Sequence, residues 1–273
     1  MRNRSLIFTG IAVTAVAIFA ACSPDPPLVS VTDAYVPYGV TMVPNRSGQS
    51  PAAAAYHQQY ASPSTAALSS NRNSYPSQPV PQTSGQKPSK SASSLYREVK
   101  VKKDFLSYGA RGRSRKAMSP KYITIHSTQN WSQGADANRH SLALKRGALG
   151  RLSWHYTTDD SRAVQHLPTT EQGNHADYDG PGNRYSIGIE MCENRGNNRA
   201  ATTERTAKLA AWLMYRYDLP ISRVVPHYKW PRKGKSPGNK NCPHFLLDNG
   251  RPGAKWRAFQ NKVSGYHRQI TGR

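Results

Sequence analysis

Four side chains in the C-terminal part of the chain have the types that metal-assisted hydrolysis requires. His126 closes Ile123-Thr124-Ile125-His126, and Glu190 sits in Ile187-Gly188-Ile189-Glu190-Met191. His227 closes Val224-Val225-Pro226-His227, and Cys242 follows fifteen positions later in Asn239-Lys240-Asn241-Cys242-Pro243. Two neutral imidazoles and a thiolate are good ligands for tetrahedral zinc, and three protein ligands leave a fourth position for water. No single spacing here is diagnostic. A strand-end histidine is also an ordinary polar surface residue, Cys242 an inert buried thiol, and Glu190 a surface carboxylate facing one of many arginines.

Alternation says which elements must position these groups. Tyr122-Ile123-Thr124-Ile125-His126 reads as a half-buried strand, with the isoleucines on one face and His126 on the other. In the run around Glu190 the apolar residues again share a face. Gly188 and Glu190 point the other way, with the glycine expected to leave open space beside the carboxylate. Further strands are expected over Leu152–Tyr156 and Ala163–Leu167, and a short one at Val224–His227. A helix is expected from Thr203, with Leu209, Trp212, Leu213 and Tyr217 at helical spacing, and a last helix carries Trp256, Phe259 and Val263 on one face. Strands and helices interleave, so the expected fold is α/β: a single domain with a central mixed sheet flanked by helices.

The rest of the chain is of a different kind. It has 273 residues, with 38 Lys+Arg against 15 Asp+Glu, a formal net charge of +23, and 37% hydrophobic residues. That hydrophobic share is low for one packed domain of this length, so part of the chain lies outside a core. Three cysteines are too few for a disulfide scaffold, and the single long apolar run excludes a polytopic membrane protein. Arg2 and Arg4 precede that run, Leu6 to Ala21, which has the length of a secretory leader. Its end, Phe19-Ala20-Ala21-Cys22, resembles a bacterial lipoprotein cleavage site, which implies lipidation of Cys22. Ser23 in place of Asp resembles the sorting pattern for the outer membrane, facing the periplasm. Without lipidation the product is a secreted protein. The expected division is a leader over 1–21, a Ser/Pro/Gln-rich disordered tether over 22–95, and a folded domain over 96–273.

Five blocks occur in order: Ile123-Thr124-Ile125-His126-Ser127-Thr128, Ser153-Trp154-His155-Tyr156-Thr157-Thr158-Asp159-Asp160, Asn183 to Asn194, Val224-Val225-Pro226-His227, and Cys242-Pro243. Together they resemble the zinc-dependent N-acetylmuramoyl-L-alanine amidases of the second amidase family, similar in fold to phage amidase-lysozymes and peptidoglycan-recognition proteins. The resemblance runs from about Tyr122 to Leu247. It implies one Zn2+ held by His126, His227 and Cys242, Glu190 as general base, and Lys240 as the group that steadies the oxyanion. The implied reaction is hydrolysis of the amide between N-acetylmuramic acid and L-alanine in peptidoglycan or muropeptides. Phage-type members carry a catalytic Tyr where this chain has Trp154, which has no hydroxyl, so the base role falls on Glu190. Trp154, His175 and Asn183 are the expected substrate-binding residues.

His155 is expected to be a satisfied core histidine, and Cys192 a small buried hydrophobe. A Cys192–Cys242 disulfide would destroy the zinc site. Two basic stretches, Arg111–Lys116 and Lys229–Lys235, are candidate rims for an anionic polymer. The expected partners are peptidoglycan or muropeptides and, through Cys22, a membrane. Nucleic acid is disfavoured by the export signal, and a monomer is expected. The other readings are a non-catalytic peptidoglycan-binding module of the same fold and a basic anchor between membrane and wall.

Overall fold

The two alternating runs lie side by side as neighbouring parallel strands of a six-stranded sheet. The computed structural model describes residues 86–273; the leader, Cys22 and nearly all of the tether fall outside them. In chain order the strands are β1 (Val101–Lys103), β2 (Tyr122–Ser127), β3 (Tyr156–Thr158), β4 (Ala163–Gln165), β5 (Ser186–Met191) and β6 (Val224–Pro226). The spatial order is β1-β4-β3-β5-β2-β6, and only the β3–β4 pair is antiparallel. The helices are α1 (Ala92–Val99), α2 (Ala137–Lys145), α3 (Pro181–Tyr185), α4 (Arg199–Tyr217) and α5 (Ala254–Thr271). The architecture is the mixed α/β sheet with flanking helices that the sequence leads one to expect.

Period-two alternation divides the sheet into an apolar and a polar face. Ile123, Ile125, Ile187, Ile189 and Met191 enter the main core, where they meet Leu95 and Val99 of α1, Leu209 and Leu213 of α4, and Trp256, Phe259 and Val263 of α5. The other face of β2 and β5 carries Thr124, His126, Ser186, Gly188 and Glu190. These residues are equally buried, so loops must cover this face too. A second core on the far side joins Leu106, Ala143, Leu144, Leu149, Trp154 and Leu167.

Several boundaries differ from the sequence reading. Helix α1 is capped by the Ser91 side chain and runs from Ala92 across the expected start of the domain. Helix α4 begins at Arg199 rather than Thr203, because Asn198 caps it by accepting from the Ala201 N–H. The strand expected from Leu152 begins only at Tyr156; before it, Ser153 makes a single bridge to Asn174. Helix α2, capped by Asp136, carries no strong apolar stripe to announce it in the sequence.

Candidate active site

Sheet register brings the chemistry together. His126 and Glu190 are direct partners across β2 and β5, and Ile125 pairs with Pro226, so His227 comes off β6 beside His126. Both imidazoles and the carboxylate thus collect at the C-terminal edge of parallel strands, where ligands gather in open α/β sheets. Cys242 returns after the loop that follows β6; the Tyr228 N–H donates to the Cys242 carbonyl at 3.0 Å. One ligand atom from each of His126, His227 and Cys242 lies within 4.8 Å of the others, and all three residues are buried. The Glu190 Oε1 atom is 3.8 Å from His126 Nδ1, with Glu190 only 5% exposed.

The residues fit a zinc ion. The Nδ1 atom of His227 is buried and has no hydrogen-bond partner, an expensive arrangement unless something else takes the lone pair. Burial first, then the neighbouring cationic or imidazole groups, holds His126 and His227 well below the ordinary histidine range, so both are neutral, the form that binds metal. Burial pushes the Cys242 thiol up to about 12, and the Lys240 ammonium opposes that rise. The Cys242 sulfur also receives the Ser127 N–H at 3.4 Å. The half-buried Lys240 acts on all three ligands, which sets its charge beside the cluster. Cys192 and Cys242 are both free thiols.

The three expected substrate-binding residues are all buried, with polar atoms already bonded within the protein. Trp154 is 1% exposed and fills the second core, with its indole N–H donating to Thr157 Oγ1 at 2.7 Å. The strand starts after it, so strand alternation does not aim it at the site. His175 is buried, and its ring nitrogens are taken up by His126 at 3.0 Å and the Ser186 carbonyl at 3.2 Å. Asn183 is buried too; its Oδ1 accepts from the His175 and Ala176 N–H groups, and its amide donates to the Tyr178 carbonyl. The open space expected beside Gly188 is occupied: a Cβ there would meet the His175 ring at 2.9 Å.

His155 is satisfied inside the core, accepting from the Gly188 N–H and bonding the Glu171 carbonyl. In the first basic stretch, Arg113 is held by Glu171 in a forked ion pair and bonds the Leu106 carbonyl, so its charge is structural rather than a free rim.

Sequence reasoning missed a second carboxylate. Glu193 is buried just beyond β5; it accepts the Gln129 N–H at 2.9 Å and faces His244 Nε2 at 3.4 Å. His244 in turn contacts Ser127 Oγ at 3.3 Å, and the exposed Trp131 ring lies 6.1 Å from it. These residues brace the Cys242 side of the site. Their one sequence signal is nearness to the ligands, Ser127 following His126 and His244 lying two positions after Cys242.

This fold and site define a class. Residues 116–245 match the model of the N-acetylmuramoyl-L-alanine amidase family, and the chain belongs to that family. It is similar to the N-acetylmuramoyl-L-alanine amidase CwlH of Bacillus subtilis (strain 168), 42% identical over 168 residues, 61% of this chain and 62% of CwlH. XlyA of the same organism, which carries the same activity name, is 40% identical over 168 residues, covering 61% of this chain and 52% of XlyA. The solved catalytic domain of XlyA matches with a TM-score of 0.54 and 41% identity, covering 60% of this chain and 99% of that domain. The chain spans less than two thirds of the length of either curated relative.

Proposed function

We propose that the chain is a zinc-dependent amidase that cleaves the bond between the lactyl carbonyl of N-acetylmuramic acid and the nitrogen of L-alanine. The observation that carries this reading is the convergence of His126, His227 and Cys242 ligand atoms within 4.8 Å, with the Glu190 carboxylate 3.8 Å from the first of them. His126, His227 and Cys242 would hold the ion. Bound zinc would supply Lewis acidity towards both the amide carbonyl and the attacking water. Glu190 takes a proton from that water as the oxygen adds to the carbonyl carbon, then delivers it to the alanine nitrogen as the C–N bond breaks. The Lys240 charge favours the negative oxygen of the tetrahedral stage. The neutral binding-module reading does not need a buried carboxylate at this position, and its presence supports catalysis.

Glu190→Gln is isosteric and leaves the three ligands in place. It should keep about one zinc per chain while turnover falls about 100- to 10,000-fold, the range for a lost general base. Metal analysis beside a muropeptide assay checks this, and full turnover in the variant rejects the base assignment.

We further propose that the enzyme is an outer-membrane lipoprotein facing the periplasm, anchored by lipid on Cys22 and reaching the wall through its tether. The support is the sequence Phe19-Ala20-Ala21-Cys22-Ser23 and the Ser/Pro/Gln-rich stretch that follows.

A further inference from the structure

Two histidines that bind a metal through one ring nitrogen must keep the proton on the other, and something must hold it there. In this chain both of those outer contacts come from consecutive residues of one loop. The His227 Nε2 atom lies 3.3 Å from the Ala176 carbonyl, and the His126 Nε2 atom lies 3.0 Å from His175 Nδ1. We propose that the loop between Asn174 and Asn183 is an outer cradle that sets the tautomer of both zinc-ligating imidazoles, with His175 as its positioning residue and Asn183 as its latch. The proposal rests on the reading of the site as a zinc centre.

The direction of each proton follows from acceptors that cannot donate. A backbone carbonyl only accepts, so the contact with Ala176 puts the proton of His227 on Nε2 and leaves the Nδ1 lone pair bare. That is the buried atom without a partner. By the same rule the Ser186 carbonyl, 3.2 Å from His175 Nε2, puts the proton of His175 on that nitrogen. His175 Nδ1 is then an acceptor. It receives the N–H of His126 Nε2, so His126 also presents Nδ1, the atom that faces Glu190 at 3.8 Å. The two ligand nitrogens are equivalent, although one is set by a main-chain carbonyl and the other by a side-chain relay.

The loop is fixed accordingly. Asn183 Oδ1 accepts both the His175 N–H at 2.8 Å and the Ala176 N–H at 2.7 Å, so one side chain fixes the two residues that touch the ligands. Asp177 in turn accepts the Asn183 and Gly182 N–H groups at 2.9 Å each. From the other side, β5 supplies Ser186 as the end of the relay and Gly188 as the space for the ring.

The primary test uses the metal-free wild-type protein with nitrogen-15-labelled histidine. Imidazole NMR should show both His126 and His227 with the proton on Nε2. A proton on Nδ1 of either residue overturns the proposal, whatever the variants do. The second test measures zinc affinity by competition with a chromophoric chelator. His175→Phe fills the volume without a polar atom and should bind zinc about 10- to 100-fold more weakly, the usual effect of losing an outer-shell partner. His175→Gln carries an acceptor and a donor in one side chain and should bind close to wild type. A folded His175→Phe with wild-type affinity, or a His175→Gln as weak as the phenylalanine variant, counts against the relay. Zinc binding with the expected tautomers but no amide cleavage would reject the amidase reading and leave the cradle standing.

Discussion

The cysteine and the two histidines reach their metal-binding forms by different routes, and the difference is measurable. Without metal, burial holds the Cys242 thiol at about 12 and keeps both imidazoles well below their ordinary range. Near pH 7 the thiol is therefore protonated and the imidazoles are neutral. Zinc requires the thiolate, so binding releases one proton from Cys242 and none from the histidines. With one proton released, apparent affinity rises about tenfold per pH unit above the imidazole range and up to the thiol value. Calorimetry in buffers of different ionisation heat should give about one proton per zinc near pH 7. A release near zero contradicts this picture. At this scale residue type made the four side chains candidates, the ordered blocks of the family resemblance singled out three of them as ligands, and His126, His227 and Cys242 do converge into a cluster able to hold a metal. The burial of Trp154, His175 and Asn183 was not legible, because sequence shows that a residue lies near a motif but not whether its polar atoms face solvent or other protein groups. Their partners are the Ser186 and Tyr178 carbonyls and the Thr157 hydroxyl, the last two only five and three positions away, so even nearby bonds depend on backbone geometry that residue type does not show.

Two elements, strand β5 and the loop before it, carry most of the positioning. Alternation predicted β2 and β5 well, because their apolar face meets the helices at every second residue. Strand length and caps were less legible: β3 is three residues long, and α2 and α4 start at caps that precede weak stripes. Gly188 shows how closely strand and loop fit. An added methyl group would meet three atoms of the His175 ring at 2.9 Å, below any normal contact. Gly188→Ala must therefore displace that ring from His126. The variant should keep its fold while binding zinc more weakly and turning over more slowly, although no ligand has changed. Chelator competition with a thermal melt checks this, and wild-type zinc affinity would show that the ring has room to yield.

For the molecule as a whole, the sheet separates support from chemistry. The helices α1, α4 and α5 cover one face, and the His126, His227 and Cys242 cluster, able to hold a metal, lies at the end of the other. The described chain enters beside its own end, where the Lys90 N–H bonds the Gln269 carbonyl of α5. The proposed leader and lipidation site rest on sequence alone. For them the deciding variant is Cys22→Ser, which should move the protein from the membrane pellet to the soluble fraction; persistence in carbonate-washed membranes argues against the lipid anchor. The surplus of basic residues is not uniformly free for binding, since Arg113 is already committed to Glu171.

The proposed activity is decided by which bond is cut. Zinc-loaded protein incubated with purified muropeptides and followed by mass spectrometry should release stem peptides with a free L-alanine amine, together with glycan that keeps its lactyl carboxylate. Intact muropeptides, or products cut only between sugars or within the peptide, in the presence of a full complement of bound zinc would contradict it.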